Sequence, residues 1–231
     1  MLHLRDVGYH PTVTPIPILK DISFDLAPKQ LGLIVGQSGS GKSTLLEILS
    51  GLAAPTSGQI FWREKPLLPE ALQQIGGLVF QFPERHFCGH TVFEELGLGH
   101  YPKLSSDRVY EALAEVGLSD LSLQASPQQL SGGQQRRLAL AVQLIRKPYL
   151  LLLDEPTAGL DWSMRQQLVS LLAKLKQEWS LLIVSHDAED LVDIADHCWS
   201  LDHGQLSSAD PDSFRRLCYS ASDDKHSSNP A

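Results

Sequence analysis

The chain has 231 residues, 42% of them hydrophobic, which is enough to bury one large core or two small ones. Its formal net charge of −8 argues against general binding to nucleic acid, which depends on lysine and arginine facing phosphates. No apolar run approaches the roughly 20 residues that cross a bilayer, and the three cysteines lie far apart without a CxxC pair, so we expect neither a membrane span nor a structural zinc site.

The first part of the chain predicts several strands and one helix. Residues 1–26 predict two short strands around the proline-bearing loop HPTVTPIP, and GQIFWRE at 58–64 is a third strand candidate. Between them, the apolar run at 33–35 is typical of a strand buried on both faces, and the apolar residues of 45–49 have helical spacing.

The rest of the chain alternates between predicted strands and predicted helices. GGLVFQ at 76–81, YLLLLDE at 149–155 and SLLIVSH at 180–186 predict buried strands, and 105–147 predicts two helices, the second starting near Ser131. This alternation indicates a parallel sheet covered on both faces, in which ligands bind beyond the carboxyl ends of the strands.

The domain organisation follows from these elements. We predict one α/β domain over residues 1–206, with a helical subdomain inserted at about 83–147. The segment 207–231 is polar and aperiodic, and we interpret it as a surface appendage that frays at its end.

A glycine-rich loop connects the strand at 33–35 to the helix that follows it. Gly36, four residues, Gly41, Lys42 and Ser43 form the phosphate-binding P-loop pattern, in which backbone N–H groups and the helix N-terminus hold an anion. In this pattern the lysine reaches the terminal phosphates and the serine binds Mg²⁺. The alternative is a glycine-rich turn with an exposed lysine, which the strand–loop–helix context disfavours.

Polar side chains follow three other apolar runs. Asp154 and Glu155 end one run, and such a pair can hold Mg²⁺ and activate a water molecule. His186 and Gln81 end two others and could contact a phosphate, the metal or that water. Alone, these residues would be interpreted as solvated acids, a structural histidine and a surface glutamine. Their shared place at strand ends predicts a single crevice.

The string LSGGQQRR at 130–137 predicts a second anion-binding helix start. Ser131 can cap the helix with Gln134 at the capping-box position, and the glycines at 132 and 133 leave the first amides bare. A simple capped helix would explain Ser131 and Gln134 but not the paired glycines. Because one nucleotide does not need two such cradles from one chain, we expect two chains packed head to tail.

In these motifs and their order the sequence resembles the ATP-binding-cassette (ABC) ATPases over about residues 2–206. The resemblance implies a P-loop core with a mostly parallel sheet, an N-terminal antiparallel β subdomain and a helical subdomain that bears the signature Leu130–Gln134. It also implies that ATP and Mg²⁺ are the cofactors. Tyr9, with His10 as the competitor, would stack on adenine.

The remaining roles also follow from the resemblance. Glu155 would be the general base, with Gln81 of the Q-loop, the switch residue His186 and Lys42 completing the catalytic set. Ser43, Gln81 and Asp154 would bind the metal. Nucleotide would be bound by the Walker A loop and, across the dimer, by the signature and the D-loop (Ala158–Asp161): Gly36, Gln37, Ser38, Gly39, Ser40, Gly41, Lys42, Ser43, Thr44, Ser131, Gly132, Gly133, Gln134 and Asp161.

The segment QFPERHFCGHTVFEEL at 81–96 is similar to energy-coupling factor (ECF) ATPases, in which the Q-loop glutamine precedes x-Pro-acid-x-Gln. Pro83 and Glu84 match, and His86 stands where the last glutamine would be. The resemblance implies that the region Phe82–Phe87 receives a coupling helix from an integral membrane partner. The alternative is that these aromatic residues only pack the core.

The function implied is ATP hydrolysis that powers a membrane transporter, most consistent with an importer, at the cytoplasmic side of a membrane. A complete set of motifs in one chain makes a homodimer sufficient, and a heterodimer with a related ATPase stays open. The alternative function is a soluble ABC ATPase acting in cofactor assembly or another process without a membrane partner. A regulator without hydrolysis is disfavoured by the presence of both Glu155 and His186.

Overall fold

The computed structural model describes residues 1–98, 104–187 and 189–209. In chain order its strands are β1 (Leu2–Tyr9), β2 (Leu19–Leu26), β3 (Leu31–Val35), β4 (Ser57–Trp62), β5 (Lys65–Pro66), β6 (Gly76–Val79), β7 (Leu150–Asp154), β8 (Ser180–Ser185), β9 (His197–Asp202) and β10 (Gln205–Ala209). Its helices are α1 (Lys42–Leu49), α2 (Pro69–Ile75), α3 (Val92–Gly97), α4 (Ser106–Glu115), α5 (Gly132–Leu144) and α6 (Trp162–Leu175). Short 3₁₀ turns lie at Pro83–Arg85, Pro127–Gln129 and Val192–Ile194.

The central sheet has six strands in the order β10-β9-β3-β8-β7-β6. Every neighbouring pair is parallel except β10 with β9, which agrees with the predicted mostly parallel sheet. Val35 of β3 pairs with Ser185 of β8, and Asp154 of β7 pairs with Val184. This register brings the ends of β3, β7 and β8 to one edge of the sheet.

The second sheet is antiparallel, in the order β2-β1-β4-β5, and confirms the three strands predicted for the N-terminal part. Its apolar face packs with α1 and α2 against one face of the central sheet, where Ile34, Leu182 and Val184 point. Leu33 and Ile183 alternate to the other face, which α3 to α6 cover. The chain therefore stacks an antiparallel layer, a central sheet and a helical layer.

The helical layer follows the predicted pattern closely. Ser105 Oγ accepts a hydrogen bond from Arg108 N at 3.3 Å and so caps α4, whose Val109 and Leu113 are buried on one face. Arg108 extends its guanidinium to the carbonyl oxygens of Leu144 and Ile145, which lie at the end of α5. This arginine satisfies helix-end carbonyls that would otherwise lack a partner.

The second helix ends at Leu144, within the predicted span 105–147, and Arg108 binds its terminal carbonyls. One predicted boundary is wrong. The appendage does not begin at 207, because Gln205–Ala209 forms β10 and Ser207 pairs with Ser200. The rest of the predicted appendage lies outside the described residues. Among the helices of the described residues, none is long and apolar enough to span a membrane.

Candidate functional site

A cavity of about 920 Å³ lies at the edge of the central sheet where β3, β7 and β8 end. The expected convergence of three polar clusters on one crevice is confirmed. The residues that line the cavity are Ile18, Val35, Gly36, Gln37, Ser38, Gly39, Gly41, Lys42, Ser43, Thr44, Gln81, Asp154, Glu155 and His186.

The loop between β3 and α1 requires glycine at two positions. A Cβ on Gly36 would lie 2.2 Å from the carbonyl oxygen of Leu201, so only glycine fits there. Gly41 has φ 107° and lies directly before Lys42, the first residue of α1. The left-handed turn at Gly41 aims the first amides of α1 into the cavity, where they can hold an anion.

Lys42 is buried and binds two backbone carbonyl groups of the loop. Its Nζ donates to the carbonyl oxygens of Gly36 at 2.6 Å and Gln37 at 3.0 Å. The same nitrogen lies 3.9 Å from Glu155 Oε1. The ammonium group therefore lies between the loop and the acidic pair, the position from which a phosphate chain in the cavity would be reached.

Ser43 and Asp154 form a direct pair on the cavity wall. Ser43 Oγ donates to Asp154 Oδ2 at 2.7 Å. Burial raises the pKa of the Asp154 carboxyl above its usual value, and the neighbouring Glu155 charge acts in the same direction, while the Ser43 hydrogen bond and Lys42 oppose the rise. A cation that could offset this buried charge would find hydroxyl and carboxylate oxygens already adjacent.

Glu155 is held by the end of the neighbouring strand β8. Its backbone has φ 46°, and its N–H donates to the carbonyl oxygen of Val184 at 2.9 Å. Its Oε2 accepts from the backbone N–H of His186 at 3.1 Å and lies 2.8 Å from His186 Nδ1 and 3.0 Å from Ser185 Oγ. The carboxylate is thus fixed in the cavity, with an imidazole against one oxygen.

Comparisons with known proteins decide the family. The family model described as "ABC transporter" matches residues 19–158. The chain is 43% identical over 221 residues to "ABC transporter I family member 11, chloroplastic" of Arabidopsis thaliana, with 88% of this chain and 78% of the relative covered.

The chain belongs to the ABC transporter family.

Within this family the ABC ATPase also resembles bacterial relatives. It is 38% identical over 201 residues to "Energy-coupling factor transporter ATP-binding protein EcfA2" of Caldanaerobacter subterraneus, covering 81% of this chain and 70% of the relative. Its fold matches cbiO1 of Clostridium perfringens, "part of the ABC transporter complex cbiONQ", with a TM-score of 0.86, 28% identity and 98% and 95% of the two chains covered. The chain is therefore an ATP-binding, ATP-hydrolysing protein with the predicted ABC fold.

A dimeric relative is also among the solved structures. The ATP-binding cassette MJ0796, in a dimeric post-hydrolysis state bound to ADP and Pi, matches with a TM-score of 0.74 and 27% identity, covering 90% of this chain and 98% of that one. Nucleotide binding and dimer formation are therefore properties found within this family.

Tyr9, which was expected to stack on adenine, is not among the described residues that line the cavity. Tyr9 packs against the core beneath the antiparallel sheet and lies in a separate shallow pocket with His10 and Thr56. Ile18 lines the cavity instead, with its carbonyl oxygen 3.2 Å from a Cβ placed on Gly41. No sequence motif predicts Ile18, because it contacts the P-loop in space and lies far from it along the chain.

Ser40 is the one Walker A residue of the predicted set that does not line the cavity. It is 6% exposed, and a Cβ on Gly36 would lie 2.7 Å from its Oγ, so the hydroxyl lies beneath the loop. Among the described residues its Oγ has no hydrogen-bond partner.

The signature and the D-loop lie away from the cavity of their own chain. The predicted capping box is confirmed, with Gln134 N donating to Ser131 Oγ at 3.3 Å and Ser131 N donating to Gln134 Oε1 at 2.9 Å. Asp161 Oδ1 accepts from Met164 N at 2.9 Å and caps α6. None of the signature residues Ser131, Gly132, Gly133 and Gln134, nor Asp161, is among the described residues that line the cavity.

The residues on either side of Gln81 lie in two different surroundings. Phe80, Pro83, His86 and Phe87 line a groove of about 150 Å³ together with residues of α5. Phe82 does not line this groove, although it was expected to anchor a partner there. Its backbone has φ 53°, which turns the ring inward toward α5.

Proposed function

We propose that this ABC ATPase is the energy-supplying subunit of an importer of the ECF type, held at the cytoplasmic side of a membrane by integral partner subunits. The observation that carries the proposal is the groove of Phe80, Pro83, His86 and Phe87 directly beside Gln81, which itself lines the nucleotide cavity. The similarity to the EcfA2 protein and to cbiO1 supports the same assignment.

The cavity provides the parts of an ATP hydrolysis site. Loop amides and Lys42 would hold the phosphates, and Glu155 would accept a proton from the attacking water. His186 would donate a hydrogen bond near the terminal phosphate while its contact with Glu155 keeps the carboxylate in place. Ser185 and the His186 amide then position the base rather than take part in proton transfer.

The donor set of the cavity fits Mg²⁺. Ser43 and Asp154 offer a hydroxyl and a carboxylate in direct contact, and Gln81 lines the same space with an amide oxygen. When bound, the ion would neutralise phosphate charge during transfer. A cation bound there would also lower the pKa of Asp154 and so oppose the rise that burial causes.

A head-to-tail dimer would complete the site. The capped start of α5 and the D-loop lie outside their own chain's cavity, so they are free to face the nucleotide of a second chain. A homodimer satisfies this requirement, and a related ATPase chain would satisfy it equally. In either case two nucleotides would lie between the chains.

The groove would dock an apolar helical segment of the membrane partner. Phe80 is 39% exposed although it is a large apolar residue, and the His86 ring lies edge-on to it with centroids 5.0 Å apart. Glu95 lies at the groove floor, where its Oε2 accepts from the N–H groups of Cys88 and Gly89 at 2.8 and 2.7 Å. An exposed aromatic rim over an ordered floor is the form that partner pockets take.

Two variants test the docking. Phe80→Ser and Phe87→Ala should leave the ATPase rate of the isolated chain unchanged, because neither side chain lines the nucleotide cavity. Both should lose copurification with an integral partner from detergent-solubilised membranes of the native source. Leu52→Ala, which removes an exposed apolar side chain elsewhere, is the matched control and should copurify normally.

Two results would contradict the proposal. If both variants lose ATPase activity and thermal stability together, Phe80 and Phe87 only pack the hydrophobic core and do not form a docking site. If both copurify like the parent, the partner docks elsewhere or the chain works without one.

A further inference from the structure

Three functional segments of the chain meet at the side chain of Arg136. This residue lies in α5, one and a half turns after the capped start of the signature helix, and is 5% exposed. Its Nη2 donates to the carbonyl oxygen of Ala158, the first residue of the D-loop, at 2.9 Å. Its guanidinium carbon lies 5.4 Å from the centroid of the Phe82 ring, and Phe82 directly follows Gln81.

Phe82 contacts the D-loop as well as the arginine. A Cβ placed on Gly159 would lie 3.5 Å from Phe82 Cε1. A second guanidinium, that of Arg85, lies 4.9 Å from the same ring centroid. The positive φ of Phe82 is uncommon for an aromatic residue, and it directs the ring into this contact.

The three segments belong to different halves of the proposed dimeric site. Gln81 lines the cavity of its own chain, whereas the signature and the D-loop lie outside that cavity. Arg136 therefore connects the residue that faces a chain's own nucleotide with the two segments that the chain would offer to its partner's nucleotide.

We propose that Arg136 is a positioning residue for ATP hydrolysis, which fixes the D-loop and the signature helix relative to the Gln81 loop and so couples the two nucleotide sites of the dimer. The inference rests on the proposed dimeric function. Movement of Gln81 toward a bound nucleotide moves Phe82, and through Arg136 it moves the segments that contact the opposite nucleotide.

Only arginine has the geometry for this connection. A planar guanidinium stacks its face on a ring while its edge donates in the same plane to a carbonyl, and an ammonium group cannot do both. Stability alone does not account for a buried guanidinium at position 136. Burial lowers the pKa of Arg136, with Glu84 opposing, and a buried charge is generally no more stabilising than an apolar side chain of similar volume.

One donor of the guanidinium is left over in this arrangement. Among the described residues, Nη1 of Arg136 is buried and has no hydrogen-bond partner. Buried donors without partners are costly, so the arrangement gains if an acceptor reaches Nη1 when the three segments shift. The carbonyl groups of the D-loop, whose residues are exposed or half-buried, are suitable acceptors in a shifted position.

The test separates positioning from stability. In the full chain, Arg136→Lys and Arg136→Met should bind a fluorescent ATP analogue with Mg²⁺ as the parent does and keep the parent's melting temperature. Their kcat should fall about 10- to 100-fold, the cost of misplaced groups at a reacting centre. In the Glu155→Gln background, both should weaken ATP-driven dimerisation by a similar factor.

A second variant tests the connection itself. Phe82→Leu should show the same loss, and Phe82→Leu combined with Arg136→Met should be no worse than either alone, because both break one coupling. Arg108→Lys is the matched control, since it also removes guanidinium bonds to carbonyls in the helical layer. Arg108 does not line the cavity, so this variant should keep the parent's kcat.

The outcomes are distinguishable. If the parent chain neither hydrolyses ATP nor dimerises with it, the proposed function falls and this inference falls with it. If the parent is active and Arg136→Lys keeps its kcat and dimerisation, only the inference is overturned. It is also overturned if the losses from Phe82→Leu and Arg136→Met multiply, or if Arg108→Lys loses as much activity as Arg136→Lys.

Discussion

Replacing Glu155 by glutamine removes the proposed base with little change in shape. In the structure Oε2 accepts from the His186 amide at 3.1 Å and lies 3.0 Å from Ser185 Oγ. A glutamine carbonyl oxygen can take this place and keep both contacts. Its amide nitrogen would then lie where Oε1 is, 3.9 Å from Lys42 Nζ, so one weak ion pair is lost.

The size of the effect follows from this geometry. Because the accepted hydrogen bonds survive, we expect little loss of stability and no loss of ATP binding, for which the loop amides and Lys42 are sufficient. Hydrolysis should fall by about 10²–10⁴, the usual contribution of a positioned general base, or roughly 3–5 kcal/mol in the activation free energy.

Single-turnover hydrolysis of γ-labelled ATP, together with equilibrium binding of the same nucleotide, measures both quantities in one preparation. Glu115→Gln is the control, because it also neutralises a partly buried carboxylate, which is paired with Arg108 at 3.3 Å and does not line the cavity. If Glu155→Gln turns over within a few-fold of the Glu115→Gln rate, another group is the base and the role assigned to Glu155 is refuted.

Three further variants probe other parts of the site. Lys42→Ala should weaken nucleotide binding itself, seen as a higher dissociation constant rather than a slower chemical step. Ser131→Arg added to Glu155→Gln should abolish ATP-dependent dimerisation in size-exclusion chromatography, and a persistent dimer would contradict the head-to-tail arrangement. Burial raises the pKa of Asp154 above its ordinary 3.8, so the folded chain loses stability as pH rises through that pKa. Asp154→Asn should therefore melt at a higher temperature than the parent in EDTA at neutral pH. This difference in melting temperature should shrink on acidification, and a lower melting temperature of the variant at neutral pH would contradict the reasoning.

The strand ends of the central sheet were predictable because their residues are buried on both faces. All five residues of β7 are buried, so the sequence shows an unbroken apolar run that stops at Asp154. The same holds for β8, which is followed by His186. Once three such runs were recognised, the rule that parallel strands place their carboxyl ends together was enough to predict the cavity.

Other features depend on contacts that periodicity does not contain. The pairing of β1 with β2 and β4 contains register shifts, and a bulge changes which face a side chain occupies. The edge strand β10 has no apolar run, and all five of its residues are exposed or half-buried. The inward turn of Phe82 depends on a positive φ that no residue preference predicts.

The strand that carries the P-loop has both of its neighbours in the last third of the chain. Leu31 of β3 pairs with Leu181 of β8, and Gly32 pairs with His197 of β9, whereas β1 finds its partners β2 and β4 within the first 62 residues. During synthesis the antiparallel sheet can therefore form early, while β3 keeps two unpaired, apolar edges until β8 and β9 have left the ribosome. Such edges favour aggregation, and pairing over long sequence separation is slow. The ability to bind nucleotide is thus acquired at the end of folding, so nascent chains depend most on chaperones while the P-loop sequence is already made but its sheet is still incomplete.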